Sequence, residues 1–505
     1  MKKYLVLIGA AILVMALASP SLAQFSTWGH MEIQTIFTKN PDFNNGQGSY
    51  FGTIRGSLPQ EDVTWKHVAQ RFQFYLQYGD PKTLRAVIGF EADSTEWGEP
   101  RGSGAISGQG GRMGGWTADS VNLEIKHAYL DFVIPNTPVR VKAGIQNYWY
   151  GGRLLMNNDG PGVKVGVDFA PHSFEAFWIR LADDANTGVV TPPLATVPPG
   201  SINTPLPVNS SLTRQSYVVA DMYGLDYKLK QKEWDLNAYF MYTNDRWSGN
   251  QANYGDPTGL FVVPVNNQFN DKPWYLGING GFRAGNWTFY GQAVYVGGER
   301  EFLKGGNQDY KAYAFEASAK YQIGPGMFVG GEFFYASGND ADSQDEIKYF
   351  PVTRSSEGRS IFGNDRTVFF WMNASQMGYY HNRNIEFSGT WYGRANFEYS
   401  PTSWVRFNLN YLYIGDTSSG APGTIISRVS GLPQTKIVNS ALGTTQARDE
   451  DYLGQEINLI TTLSIYKNFV YNIGLAAFLP GDAYKLTNGS VDPAWAINTK
   501  LIYAF

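Results

Sequence analysis

Apolar and polar residues alternate along most of this chain, in runs of ten or more residues separated by turn residues. In residues 68–78 one face of an extended strand is mostly apolar, and Arg71, Gln73 and Gln77 lie on the other face. Residues 83–93 repeat the pattern after a turn at residues 79–82 that contains Gly, Asp and Pro. Such runs exceed the roughly five or six residues typical of soluble strands and fit a tilted strand that crosses a bilayer.

The alternation recurs to the end of the chain and predicts an all-β, antiparallel, up-and-down transmembrane β-barrel of about 18 strands. Two segments are weaker than the rest, because 162–169 is short and the apolar face of 120–134 switches near His127. A count of about 16 strands therefore stays open, and either count is even, as bacterial barrels require. The predicted strands are 25–37, 67–78, 83–93, 120–134, 138–147, 162–169, 172–182, 215–229, 233–244, 273–283, 286–297, 310–323, 326–337, 383–399, 403–414, 451–466, 468–479 and 492–505.

The connections between these strands alternate in length, with short turns at one end of the strands and long loops at the other. Outer-membrane barrels have this asymmetry, with short periplasmic turns, long extracellular loops and aromatic girdles at the lipid interfaces. The pattern therefore also predicts an orientation in the membrane. The aromatic residues beside the short turns are Tyr78, Tyr227, Trp234, Phe282, Trp287, Tyr321, Tyr399 and Tyr503.

The two ends of the chain fit the same interpretation. A cationic start, a short apolar run and a small-residue site before Gln24 predict a cleaved, Sec-type signal peptide at residues 1–23. Residues 24–505 are then expected to form a single outer-membrane β-barrel domain of a Gram-negative cell, without an N-terminal plug. The last strand has one apolar face and ends on Phe505, as expected of a strand whose apolar side meets lipid.

Composition argues against several other classes of protein. The chain has no cysteine, which excludes disulfides and cysteine metal sites. Residues 1–23 hold two of its 40 basic residues and no acidic one, so the mature chain is net negative. It has no basic block, and we expect no nucleic-acid partner. The five histidines are scattered and the common catalytic and haem-attachment motifs do not occur, so we expect no enzyme activity, no cofactor and no metal.

The inward positions of the predicted strands carry many charges. Barrels of about 16–18 strands leave a water-filled channel whose selectivity depends on such residues. The first part of the barrel has mainly basic inward residues and the later part mainly acidic ones. Either the two walls create a transverse field that orients polar solutes, or the charges pair within the wall. Because both signs occur, strong ion selectivity is not predicted. The residues predicted to line the pore are Arg71, Arg85, Lys126, Arg140, Lys142, Lys164, Glu316, Glu332, Glu386, Arg394, Glu398, Arg406 and Glu456.

One long connection, predicted at residues 338–382, contains the apolar run VFFWM at residues 368–372. A run of this kind is too apolar for a loop surrounded by water. We expect it to pack into the mouth of the barrel, narrowing it, or to cover a neighbouring strand.

Several short segments also carry a family resemblance: HAYLDF at 127–132, VRVKAGIQ at 139–146, YASGND at 335–340, GQEINL at 454–459 and FLPGD at 478–482. They resemble the alginate-export-like and related proteobacterial porins. The resemblance implies an outer-membrane barrel of similar size and strand number. The alginate channel has a strongly basic lumen, whereas the inward charges here are mixed, so the resemblance leaves the cargo open.

Together these features predict an outer-membrane porin, a passive diffusion channel for small hydrophilic solutes. Its expected surroundings are outer-membrane lipid and lipopolysaccharide, and a monomer and a homotrimer both stay open. Two alternatives also stay open: a barrel sheath that holds a partner such as a multihaem cytochrome, and a polysaccharide exporter.

Overall fold

The structure is a computed structural model. It describes residues 25–40, 64–97, 123–151, 154–183, 219–246, 269–302, 305–338, 345–351, 366–368, 389–417, 451–481 and 492–505. Within these ranges, no helix is long and apolar enough to cross a membrane.

The described residues form twenty strands in one continuous sheet. Eighteen of them make the wall of a barrel, and two short ones, β12 and β15, lie at the ends of long connections. The strands are β1 (Phe25–Lys39), β2 (Thr64–Asp80), β3 (Leu84–Glu96), β4 (Glu124–Val133), β5 (Val139–Tyr150), β6 (Met156–Phe169), β7 (His172–Asp183), β8 (Val219–Lys230), β9 (Trp234–Asp245), β10 (Phe269–Ala284), β11 (Trp287–Phe302), β12 (Asn307–Tyr310), β13 (Ala312–Gly324), β14 (Met327–Ala336), β15 (Glu346–Ile347), β16 (Thr390–Thr402), β17 (Val405–Asp416), β18 (Tyr452–Tyr466), β19 (Phe469–Pro480) and β20 (Ala494–Ala504).

The barrel closes between its first and last strands. β1 and β20 are antiparallel partners from His30↔Ala504 to Lys39↔Trp495, and each wall strand pairs with the next one along the chain. The predicted fold class and the count of eighteen wall strands are confirmed. Closure leaves no edge strand, so every wall strand has a hydrogen-bonding partner on both sides.

The two weaker strand predictions correspond to real strands whose details differ from the expectation. β6 begins at Met156 rather than 162, because its register with β5 continues to Tyr150↔Met156. In β4 the apolar face switches because the register with β3 shifts between Gly89 and Phe90. At such a bulge two residues face a single partner, so alternation is interrupted for one position. Lys126 and His127 therefore both contact Asp159 on the polar side of the sheet.

The two faces of the sheet differ in chemistry. Large apolar side chains are exposed on the outer face, including Leu130, Leu225, Leu276 and Trp495. On the inner face, polar and charged side chains such as Glu91 are buried among one another. Most of the predicted turn-side aromatic residues are exposed, as a lipid-interface girdle requires: Tyr78, Trp234, Phe282, Trp287, Tyr399 and Tyr503.

Aromatic rings on the inner face lie against glycines of the adjacent strand. A Cβ added at Gly89 would clash with the Tyr75 ring, one at Gly224 with the Phe177 ring, and one at Gly277 with the Tyr239 ring. Each glycine thus makes room for a ring that lies along the wall rather than projecting into the lumen. This arrangement places apolar bulk along the inner surface between the charged side chains.

Candidate solute passage

The first charged cluster on the inner wall is centred on Glu91 of β3. Arg71 bonds to one of its carboxylate oxygens, and the Lys126 ammonium lies 2.6 Å from the other. Lys126 also lies 2.7 Å from Asp159 of β6, which in turn lies 2.8 Å from the His127 ring nitrogen. Two of the predicted pore residues, Arg71 and Lys126, therefore lie together in a network in which carboxylates balance much of the positive charge.

A second cluster is centred on Asp131 of β4, whose side chain is 2% exposed. Arg85 of β3 lies 2.7 Å from one carboxylate oxygen. Arg140 of β5 donates to both oxygens, at 2.6 and 2.9 Å. Two guanidinium groups share one carboxylate, so this part of the wall keeps a positive excess despite the pairing.

Lys142 and Lys164 differ from the other predicted cations. They are direct cross-strand partners on β5 and β6. The Lys142 ammonium lies 3.9 Å from the centre of the Tyr129 ring, and the Lys164 ammonium lies 4.6 and 5.0 Å from those of Tyr148 and Tyr150. Among the described residues neither lysine has a carboxylate oxygen within 4.0 Å. Cation–π contacts stabilise an ammonium group without neutralising its charge.

On the opposite wall, Glu332 of β14 is buried and binds several groups. Arg394 of β16 lies 2.6 Å from one carboxylate oxygen, and the Tyr392 hydroxyl donates to the other. Arg366, which belongs to the long connection between β14 and β16, contacts the same carboxylate at 3.1 Å and Glu316 of β13 at 3.0 Å. Three predicted pore residues, Glu316, Glu332 and Arg394, thus meet in one network with a residue from a loop.

The remaining predicted residues are spread along the later strands. Glu398 of β16 lies 2.7 Å from Lys320 of β13. Arg406 of β17 donates to the Thr462 hydroxyl at 3.4 Å. Glu456 of β18 is fully buried and accepts hydrogen bonds from the connection that carries Arg366. Glu386 lies outside the described residues.

The network also contains charged residues that were not among the predicted ones. Asp131 and Asp159 balance the basic wall, Arg366 balances the acidic one, and Lys500 of β20 pairs with Glu32 of β1 at 2.7 Å. Asp131 was detectable, because it alternates with the apolar residues Ala128, Leu130 and Phe132 and therefore lies on the opposite face. Arg366 had no such signal, since it lies outside any alternating segment.

The connection between β5 and β6 also reaches into the lumen. The Gln292 side chain on β11 donates a hydrogen bond to the Gly151 carbonyl oxygen, although Gly151 follows β5 on a distant part of the wall. Leu154 and Leu155 in this connection are fully buried in the same apolar cluster as Met222 and Met241. The connection is therefore packed against the inner wall.

The expectation for the apolar run at 368–372 can be assessed at its first residue. Val368 is 3% exposed, and it packs so closely on Gly474 of β19 that a Cβ there would lie 2.8 Å from a Val368 methyl carbon. Residues 369–372 lie outside the described residues. At Val368, the connection covers the inner face of a neighbouring strand, which is one of the two arrangements that we expected.

No protein-family model matches the chain, and no curated protein matches it. Similar solved structures include two outer-membrane proteins of Pseudomonas aeruginosa. OccK8 (OprE) has 12% identity and a TM-score of 0.48, and opdK has 10% identity and a TM-score of 0.48. In both cases the similarity covers 95% of this chain and 98% of the other.

The outer-membrane protein OmpT of Vibrio cholerae, solved in a trimer form, has 9% identity and a TM-score of 0.40, with coverage of 96% of this chain and 100% of the other. At such identities and TM-scores, these similarities carry no information about solute or assembly. The specific resemblance to alginate-export-like porins stays a prediction.

Proposed function

We propose that the protein is an outer-membrane porin that lets small hydrophilic solutes diffuse passively through its lumen. The observation that carries this proposal is the closed eighteen-stranded wall with exposed apolar side chains outside and clusters of charged side chains inside. A closed barrel satisfies its backbone hydrogen bonds within a bilayer, and a charged inner face needs water. Barrels of about this strand number enclose an aqueous channel.

The distribution of charge supports a channel of mixed character with a modest preference for anions. Most inward cations and carboxylates lie in pairs or shared clusters, which favours the second of the two interpretations of the wall charges. The exceptions, Lys142 and Lys164, keep a positive charge on one side of the lumen. A local charge of this kind raises the concentration of counter-ions at the wall without excluding the other sign.

Single-channel recording tests this function directly. The mature protein, residues 24–505, is purified, refolded and reconstituted into planar bilayers, and a panel of sugars and organic anions is added to the same chamber. We expect stable, stepwise conductance that particular solutes reduce. A folded, heat-modifiable barrel without conductance would contradict the proposal and would favour the sheath. A coloured complex purified from cells would identify a haem-containing partner.

The same preparation tests the alternative function, polysaccharide export, and the oligomeric state. Block by a polyuronate at concentrations that leave small sugars without effect would favour polysaccharide export. The mass of the detergent-solubilised particle distinguishes a monomer from a homotrimer.

A further inference from the structure

A groove on the outer face of the barrel lies over the hairpin of β10 and β11. Gly280 and Gly291, which are direct cross-strand partners, form its floor. Its volume is about 750 Å³. Ligand pockets typically enclose roughly 300–1,000 Å³, so the groove has room for part of a small molecule. Exposed apolar side chains border the floor: Ile278 and Phe315 toward the long connections, and Phe282 and Phe289 toward the short turns.

The packing of the wall does not require glycine at position 291. The nearest heavy atom to an added Cβ would be the Glu316 carbonyl oxygen at 3.9 Å, which is an ordinary van der Waals distance. Glycine inside a strand weakens the strand and offers no side chain for packing. The groove is therefore a recess in a face that carries large aliphatic side chains elsewhere, as in the row across β17–β20 formed by Leu409, Leu459, Leu475 and Ile497.

The depth of the groove places it in the hydrocarbon layer on the side of the short turns. Gly280 is the next outward position after Phe282, a residue of the predicted girdle, so it lies about 7 Å further along the strand from the interface. The hydrocarbon core of a bilayer is about 30 Å thick. Only a molecule or a surface inside the bilayer can therefore reach the floor. In the predicted orientation, this half of the bilayer is the periplasmic leaflet, which consists of glycerophospholipids.

The short turns beside the groove carry an excess of positive charge. The exposed charged residues where β8 and β10 end and β9 begins are Lys230, Lys232, Glu233, Asp235 and Arg283. Lys230 and Asp235 are cross-strand partners, so their charges offset each other. The Lys232 side chain is 93% exposed, and its ammonium lies 3.9 Å from the Glu233 carboxylate. Cations at a membrane surface attract the phosphate groups of lipids, so this end of the groove complements a lipid headgroup.

We propose that the groove binds one glycerophospholipid, with an acyl chain over Gly280 and Gly291 and the phosphate near Lys232 and Arg283. A chain in a recess contacts a floor and two sides, whereas a chain on a flush wall contacts a single surface. The bound lipid therefore exchanges more slowly than lipids elsewhere around the barrel. This inference rests on the outer-membrane location that the proposed function also requires, and it does not depend on conduction.

The test counts the phospholipid that stays bound to the purified barrel. The mature protein is reconstituted into vesicles of dioleoylphosphatidylglycerol, extracted in mild detergent, washed and weighed by native mass spectrometry. Gly291→Leu fills the groove from its floor, and Ala293→Leu fills it from a second lining position. Gly393→Leu is the matched control, because Gly393 does not line the groove and a Cβ there would have no heavy atom within 4 Å. Heat-modifiable gel mobility first shows that each variant folds.

We expect about one retained phospholipid per chain in the wild type and in G393L. Retention should be about tenfold lower in G291L and A293L, because losing contact with about two methylene groups changes a binding constant by roughly this factor. Equal retention in the wild type and both groove variants, or no retained lipid in the wild type, would overturn the proposal. A wild-type multimer that G291L converts to a monomer would assign the groove to a second copy of the chain and would also overturn it.

The phosphate contact has its own test. Lys232→Gln combined with Arg283→Gln should lower retention about fivefold, since each cation near the surface attracts anionic lipid. Lys82→Gln combined with Lys467→Gln, at exposed lysines of two other short turns, should leave retention unchanged. Equal retention in both double variants would overturn the placement of the phosphate. A barrel that retains lipid without conducting would keep this site while the proposed channel function fails, and a conducting barrel without retained lipid would do the reverse.

Discussion

Gly29 of β1 and Phe505, the last residue, exchange two backbone hydrogen bonds: the Gly29 N–H donates to Phe505 at 2.9 Å, and the Phe505 N–H donates to Gly29 at 3.0 Å. The Phe505 ring then lies over Gly29, where a Cβ would come within 2.8 Å of a ring carbon. It also stacks near Phe72 and Phe74 of β2. The seam of the barrel is therefore closed by both the backbone and the terminal side chain.

The first prediction concerns this seam. Gly29→Ala places a methyl group against the Phe505 ring and the Gln73 carbonyl oxygen, so we expect it to destabilise the barrel by about 1–3 kcal/mol. Urea titration followed by heat-modifiable gel mobility measures the change. Gly393→Ala is the control, because a Cβ at Gly393 would have no heavy atom within 4 Å. Equal midpoints for the two variants would show that the ring contact does not contribute.

The second prediction concerns Lys142 and Lys164, which have no carboxylate oxygen within 4.0 Å among the described residues. Replacing Lys142 and Lys164 together by Gln removes two positive charges from one side of the lumen, so the reversal potential in a salt gradient should move toward cation preference. Arg140→Gln combined with Lys142→Gln should shift it in the same direction. Lys142→Arg keeps the charge and serves as the control. No shift in the double lysine variant would remove these residues from the solute passage.

Substitution of Asp131 should shift selectivity in the direction opposite to substitution of the two lysines. Asp131→Asn leaves Arg85 and Arg140 without their shared carboxylate, so the reversal potential should move toward anion preference. Stability should fall by about 1–3 kcal/mol, because Asn lacks the buried negative charge and has only one oxygen to accept hydrogen bonds from the two guanidinium groups. Asp168→Asn, at an exposed position on the same wall, should leave the urea midpoint close to that of the parent protein. A cation-directed shift in D131N would contradict this assignment.

Ionic strength provides a fourth test. If the wall charges of Lys142 and Lys164 cause the anion preference, that preference should weaken as salt rises, because the Debye length falls from about 10 Å at 0.1 M to about 3 Å at 1 M. Reversal potentials measured at a fixed concentration ratio but increasing total salt report this change. The K142Q/K164Q variant should show little salt dependence, and a preference in the parent that persists at high salt would point to a steric origin.

Much of the wall could be predicted from the sequence, because alternation in a membrane strand follows from two solvents on two faces. The interruption at Lys126 and His127 was visible as a change of face, and only the structure identifies it as a bulge. β6 was predicted too short because residues 157–161, Asn-Asn-Asp-Gly-Pro, show no alternation of apolar and polar side chains. Their place in the wall is set by pairing with β5 rather than by their own side chains.

The inward connections could not be predicted to the same degree. Twelve of the predicted pore residues lie on wall strands that the structure describes. Within a strand, the alternation of side chains determines the face that each residue occupies. Arg366 and Gly151 bind the inner wall through contacts between residues far apart in sequence, and no local pattern specifies such partners. The pairing of the wall charges could not be predicted from the sequence either, because it depends on which strands are neighbours and on their register.

The inward connections also have a consequence for the order of assembly. Gln292 and Gly151 are 141 residues apart, and Thr367 and Glu456 are 89 residues apart. Contacts over such separations form late, because bringing distant segments together costs loop entropy that earlier pairing must first offset. Glu316, Glu332 and Glu456 can bind residues 366–368 only after their strands have paired with one another. We therefore expect a newly inserted barrel to be empty at first and to acquire its inner partition in a final maturation step, during which a protease could reach segments that the finished protein shields.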